Sequence, residues 1–185
     1  MNETVIILAP QFEEVEAITP IDFLRRAGIR VTIAGLTERT LTSARGVSLL
    51  TDVTLEEIEN QYFDAVILPG GRGAWTIAES DRACNFILKH YQKNKLLAAI
   101  CAAPAIILGK TLKILGNKNF TCYPGLEREA GCGNYNKMQV VQDGNCITAQ
   151  GPGSAAQFAL AIIKALAGNE KALEIANATL LTIDF

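Results

Sequence analysis

Histidine is almost missing from this chain: His90 stands alone among 185 residues. A nucleophilic site built on imidazole needs that ring within hydrogen-bond reach of the nucleophile. His90 lies in Lys89-His90-Tyr91-Gln92-Lys93, and these polar neighbours predict a solvated ring, which argues against papain-like dyads and amidotransferase triads. Long apolar runs are missing too, and none approaches the ~20 residues of a membrane span. No block of like charge is present: 17 basic and 19 acidic side chains are interspersed for a net charge of −2. Nucleic acid is offered no basic stripe. The five cysteines, Cys84, Cys101, Cys122, Cys132 and Cys146, include no C-x-x-C pair, so neither a zinc site nor a disulfide framework is indicated. Free thiols and the lack of a basic leader before the first apolar segment predict the cytoplasm.

What is present reads as an α/β protein. Hydrophobic residues make up 49% of the chain, an ordinary globular share, and its length suits one domain over residues 1–185. Apolar, β-branched runs at 5–9, 30–35, 64–69 and 96–100 predict buried strands, with a fifth at 119–122. Helical spacing covers 13–26, 80–91, 155–166 and 170–176. Thr19-Pro20 resembles a cap followed by proline at the first helical position, so a kink or fresh start is expected there. Residues 41–50 form a hairpin around Ala44-Arg45-Gly46. A second hairpin turns on Asp143-Gly144. Thr54-Leu55-Glu56-Glu57 is a capping box, and Gly151-Pro152-Gly153-Ser154 is a turn with a cap. Strands alternating with helices give a three-layer sandwich with a mainly parallel sheet. Ligands bind such sheets outside the carboxyl ends of the strands, where loops 10–16, 70–74 and 101–104 gather.

Cys101 ends the strand 96–100 and precedes a helix. Cysteine beside an apolar run is commonly an inert core residue. Here, however, the small Ala102 and Ala103 permit a tight turn, and Pro104 fits the first helical turn. A thiol so placed faces free N–H groups and the positive end of a helix, which favour a thiolate. Gly70-Gly71 lacks the spacing of a dinucleotide or phosphate loop, but lets backbone approach closely. An N–H there, with that of Ala102, forms a candidate oxyanion hole. Glu13 and Glu14 are explained by the helix dipole. Glu16 is the carboxylate expected to face the sheet edge and share a proton with Cys101, which supplies acid–base chemistry without histidine.

Together, Glu13-Glu14-Val15-Glu16, Arg25-Arg26-Ala27-Gly28-Ile29, Leu68-Pro69-Gly70-Gly71, Ala98-Ala99-Ile100-Cys101-Ala102-Ala103-Pro104 and Gly151-Pro152-Gly153 resemble the ThiJ/PfpI superfamily, in its Parkinsonism-associated deglycase branch. The resemblance spans essentially the whole chain. It implies a flavodoxin-like fold, a cytoplasmic homodimer and no cofactor or metal. It places the nucleophile, which is also the oxidisable thiol, at Cys101. The proton-sharing carboxylate maps onto Glu16 and the oxyanion N–H groups onto Gly71 and Ala102. Three positions depart from the family pattern. Ala103 stands where glycine is frequent, Tyr123 where some members have histidine, and Gln150 where arginine precedes the Gly-Pro-Gly. The peptidase branch has histidine directly after the nucleophile; here that residue is Ala102.

The expected function is a cofactor-free deglycase or glutathione-independent glyoxalase acting on dicarbonyls and early glycation adducts. The alternative is an oxidative-stress sensor or redox-regulated chaperone that works through oxidation of Cys101. For dimerisation, the first helix and the 41–50 hairpin are the expected surfaces.

Overall fold

In the computed structural model, which describes residues 2–182, the chain forms a seven-stranded sheet between two layers of helix. The elements are β1 Glu3–Leu8, α1 Glu14–Arg26, β2 Arg30–Gly35, β3 Thr40–Thr42, β4 Ser48–Leu50, β5 Val53–Thr54, α2 Leu55–Ile58, β6 Ala65–Leu68, α3 Gly73–Ala78, α4 Asp81–Gln92 and β7 Leu96–Ile100. A π-helix, Pro104–Thr111, follows β7. Then come β8 Asn119–Phe120, β9 Asn134–Tyr135, β10 Val140–Asp143, β11 Cys146–Ala149, α5 Ala155–Ala167 and α6 Asn169–Ala178. The sheet order is β10-β11-β7-β6-β1-β2-β5, parallel except for the β10–β11 hairpin at one edge. The mainly parallel three-layer sandwich expected from the sequence is therefore present. No helix among the described residues is long and apolar enough to cross a membrane.

Period-2 alternation builds both faces. Val5, Ile7, Val66, Leu68, Leu97 and Ala99 point to the side holding α4 and the π-helix. Ile6, Leu8, Ile67, Ala98 and Ile100 point to the side holding α1, α5 and α6. β6 and β7 are buried at every position, as parallel strands covered on both faces require. Each such Ile, Leu or Phe contributes roughly 1.5–3 kcal/mol by leaving water, and this stiffens the platform on which the strand ends sit.

Four expectations need correction. The first helix does not restart at Thr19. It is capped at Glu13, whose carboxylate accepts the Glu16 N–H at 2.8 Å, and runs through Pro20 to Arg26. Ala17, Ile21 and Leu24 are buried as one stripe on both sides of Pro20, and that packing outweighs the missing proline donor. The segment expected as a fifth strand keeps strand form only in β8, which pairs with β9 outside the main sheet. Thr121 N–H goes to the Thr148 hydroxyl at 3.0 Å instead of to a ladder partner. Ser154 does not cap α5 with its side chain; its hydroxyl closes the preceding turn against Gly151 N–H and C=O.

His90 is not solvated but fully buried. Its Nδ1 lies 2.7 Å from Phe86 O, and its Nε2 accepts the Phe63 N–H at 3.1 Å. This pairing requires the neutral ring protonated on Nδ1, and burial lowers its pKa. His90 is a structural pin at the opposite end of the sheet from Cys101, since Phe63 precedes β6 and Cys101 follows β7, its parallel neighbour. The hairpin β3–β4, the Thr54–Glu57 capping box and the Ser80 cap of α4 appear as expected.

Candidate functional site: a buried Cys101–Glu16 pair

The loops that follow β1, β6 and β7 meet at the carboxyl edge of the sheet. Glu13 N–H donates to Gly70 O at 3.2 Å, and Phe12 bridges to Gly71, so the start of α1 is stitched to the loop after β6. Cys101 N–H donates to Ala149 O at 2.9 Å, and Cys101 O accepts the Tyr123 N–H at 2.8 Å. Both backbone groups of the cysteine are thus clamped. Between them Cys101 has φ 65, a left-handed conformation that costs a side-chain-bearing residue roughly 1–3 kcal/mol. That strain tips the thiol off the strand and towards the cleft.

Glu16 comes from the first turn of α1 and is fully buried. Its Oε2 accepts the Gly70 N–H at 2.8 Å and lies beside the Cys101 sulfur, both atoms falling within 3 Å of where a Gly70 Cβ would sit, and its Oε1 has no partner. The approach depends on two glycines. A Cβ on Gly70 would lie 2.5 Å from Cys101 Cβ and 2.6 Å from Glu16 Oε2. At Gly71, φ is 76 and a Cβ would lie 2.4 Å from Gln11 O. Only an unsubstituted backbone brings the Gly71 N–H to the sulfur.

Burial pushes the Glu16 carboxyl up to about 7, helped by the Glu13 charge and opposed by the hydrogen bonds from Gly70 and Cys101. Burial also pushes the Cys101 thiol up, as do the charge and hydrogen bond of Glu16, while the N–H groups of Gly71 and Ala102 pull it down. The two groups oppose each other's ionisation, so they titrate as a pair that retains one proton. With that proton on Glu16, the upward push of the carboxylate charge on the thiol disappears. Two backbone N–H groups then face the sulfur, whereas one faces the carboxyl.

The structure thus brings Cys101, Glu16, Gly71 and Ala102 together. Glu13 caps the helix, and Glu14 does not join the cluster. Sequence reasoning missed the walls. Arg72, Trp75, Pro124, Gly125 and Leu126, with Tyr123, enclose an open cleft of about 520 Å³ over Cys101. The signal was present: Trp75 is the chain's single tryptophan, one helical turn beyond Gly70-Gly71. Gln150 lines a neighbouring hollow, and its side-chain amide is engaged by Lys137 O at 3.0 Å. Among the described residues no three His, Cys, Asp or Glu side chains gather in a way that could hold a metal ion.

A family model described as DJ-1/PfpI matches residues 2–165. Protein dj-1beta of Drosophila melanogaster is 40% identical over 185 residues, with 97% of each chain covered. Its crystal structure superposes with a TM-score of 0.94 at 38% identity, covering 98% of this chain and 99% of that one. A Caenorhabditis elegans protein named as a glutathione-independent glyoxalase is 33% identical, covering 92% of this chain and 91% of its own. A Toxoplasma gondii DJ-1 structure described as oxidized has a TM-score of 0.93 at 32% identity, covering 99% of this chain and 100% of that one.

The Glu16 shift has a stability consequence of definite sign. A carboxyl raised from 4.5 to about 7 binds more protons folded than unfolded between those values. Its contribution is therefore fully present below the lower value and is lost as pH rises through the upper one. The total is on the order of 3 kcal/mol. Glu16→Gln, which imitates the protonated acid, should gain on the wild type by that order as pH rises across the window, as read by urea unfolding. Titration of His90 is common to both proteins and cancels. A difference that does not change with pH contradicts the buried, proton-holding carboxyl.

Proposed function

Because the chain belongs to the DJ-1/PfpI family, we propose that it is a cofactor-free, cysteine-dependent enzyme acting on reactive dicarbonyls and early glycation adducts, a glutathione-independent glyoxalase and deglycase. The observation that supports this most is the buried Glu16 carboxyl set against the half-buried Cys101 thiol at the strained end of β7, beside the backbone of Gly71 and Ala102. This is acid–base equipment for a thiol in which no imidazole takes part.

Methylglyoxal presents an aldehyde carbon, C1, beside a ketone carbon, C2. The Cys101 thiolate forms a bond to the aldehyde carbon, and the carbonyl electron pair moves to oxygen. The N–H groups of Gly71 and Ala102, relieved of the sulfur's charge, receive that oxyanion, and Glu16 protonates it to give a hemithioacetal. Glu16, now a carboxylate, removes the C1 proton and returns it to C2, while the hydroxyl proton passes from the C1 oxygen to the C2 oxygen in the intervening enediolate. The product is a lactoyl thioester. Water cleaves the C–S bond, releasing lactate and the thiol. No net oxidation occurs, because C1 is oxidised as C2 is reduced. In the deglycase variant the same carbon begins as a hemiaminal: its C–N bond breaks as the Cys101 C–S bond forms, Glu16 protonates the departing amine, and the same hemithioacetal results.

The functional unit is a homodimer in cytoplasm. Val15 and Ile18 on α1 and Val47 and Leu50 at the hairpin are exposed. Hydrogen bonds from Gln11 N–H to Thr42 O and from Ala44 N–H to Phe12 O join these two elements into one face. The Glu14 carboxylate oxygens are occluded without a hydrogen-bond partner. A second reading, a peroxide sensor, uses the same thiol. The half-buried Cys101 has acceptor-stabilising N–H groups around it, while Cys122 and Cys146 are buried.

Lactate release tests the enzyme. Cys101→Ala should abolish it, and Glu16→Gln should lower kcat about 10²–10⁴-fold; normal turnover by Cys101→Ala overturns the mechanism. Peptide mapping after mild peroxide tests the sensor, which requires sulfinate at Cys101 first; earlier oxidation of Cys84 or Cys132 rejects it. Light scattering should give twice the chain mass, reduced in Ile18→Glu, and a monomeric wild type rejects the dimer.

A further inference from the structure

We propose that Arg72 is a specificity residue that selects carbonyl substrates bearing a carboxylate or phosphate; this rests on the carbonyl chemistry proposed for Cys101. Among the residues lining the cleft, Arg72 alone carries a charged side chain. It is exposed and, like Arg45 and Arg128 outside the cleft, has no ion-pair partner among the described residues, whereas arginines 25, 26, 30, 39 and 82 have carboxylates beside them. Glu127, the residue after the cleft-lining Leu126, accepts the Gly125 N–H on its carboxylate at 2.7 Å. An unpaired guanidinium at a cleft mouth offers a planar fork that matches a carboxylate or phosphate.

Two further features decide how a ligand lies. Trp75 and Tyr123 are both exposed, 37% and 50%, and both line the cleft, so they form apolar walls for the body of the ligand. At the floor, Cys101 and Glu16 hold one negative charge between them when they share one proton. An anionic group is therefore repelled from the floor and drawn to Arg72 at the rim. A substrate with an anion at one end and a carbonyl at the other enters carbonyl first, which is the orientation that attack by sulfur needs. The cleft thus offers a shared negative charge at the Cys101–Glu16 pair, apolar walls at Trp75 and Tyr123, and a positive charge at Arg72.

The inference is tested with unreactive ketones, so that binding is read apart from turnover. Trp75, the single tryptophan, provides the fluorescence signal. The probes are 4-acetylbenzoate, 4-acetylphenyl phosphate and, as the neutral reference, methyl 4-acetylbenzoate. The wild type should bind at least one anion about tenfold more tightly than the ester, with the advantage shrinking as salt is raised. The anion that binds more tightly names the substrate group. In Arg72→Gln the anion-to-ester ratio should fall to near unity. Equal binding of all three probes by the wild type, or an anion advantage that survives Arg72→Gln, overturns the inference. Absence of lactate formation alongside an intact, Arg72-dependent preference would overturn the enzyme reading instead and leave the anion site standing.

Discussion

The close approach of the Glu16 carboxyl to the Cys101 thiol is the contact around which the carboxyl edge of this molecule is organised. It joins two acidic groups that cannot comfortably ionise together, in a place where water is mostly excluded. Everything adjacent serves to make that contact feasible. Gly70 has no side chain because there is no room for one, and its N–H holds the carboxyl in place. Gly71 sits where a Cβ would strike Gln11 O, and its bare backbone lets its N–H reach the sulfur. Glu13 begins α1 one turn early enough to aim Glu16 inward. The strain at Cys101 is tolerated because β7 is locked between β6 and β11, and the cysteine's own backbone groups are both bonded.

In the proposed function this arrangement takes the place of histidine. An imidazole beside a thiol forms an ion pair of opposite charges; a carboxyl beside a thiol forms a pair with one negative charge and one mobile proton. That charge can sit on sulfur, where two N–H groups meet it, and the proton on Glu16 remains available for transfer. His90, the chain's one imidazole, is committed to the protein interior by two hydrogen bonds and its packing against Phe86. It contributes to the fold and not to the cleft.

Much of this was legible in the residues. The strands were visible because burial on both faces demands continuous apolar runs, and Leu96–Ile100 appears at its expected bounds. The convergence of loops 10–16, 70–74 and 101–104 follows from parallel topology alone. What failed did so for tertiary reasons. Pro20 looks like a helix start by local chemistry, but the buried stripe on either side of it keeps α1 whole. His90 has polar sequence neighbours, yet a helix shows different faces to core and solvent, and its ring falls on the inner face with Phe86. Residues 119–122 have strand composition, but the Thr148 hydroxyl captures the backbone N–H that a ladder would use. The cleft walls were hidden because Arg72 and Trp75 meet Tyr123 only after the chain has folded from distant segments.

The account stands on where one proton resides. Infrared difference spectra of the wild type against Glu16→Gln and against Cys101→Ala, recorded at pH 6, below the value of about 7 to which burial raises Glu16, report both partners at once. The account predicts a protonated carboxyl stretch from Glu16 together with no S–H stretch from Cys101. An ionised Glu16 carboxylate beside an intact Cys101 S–H would contradict it.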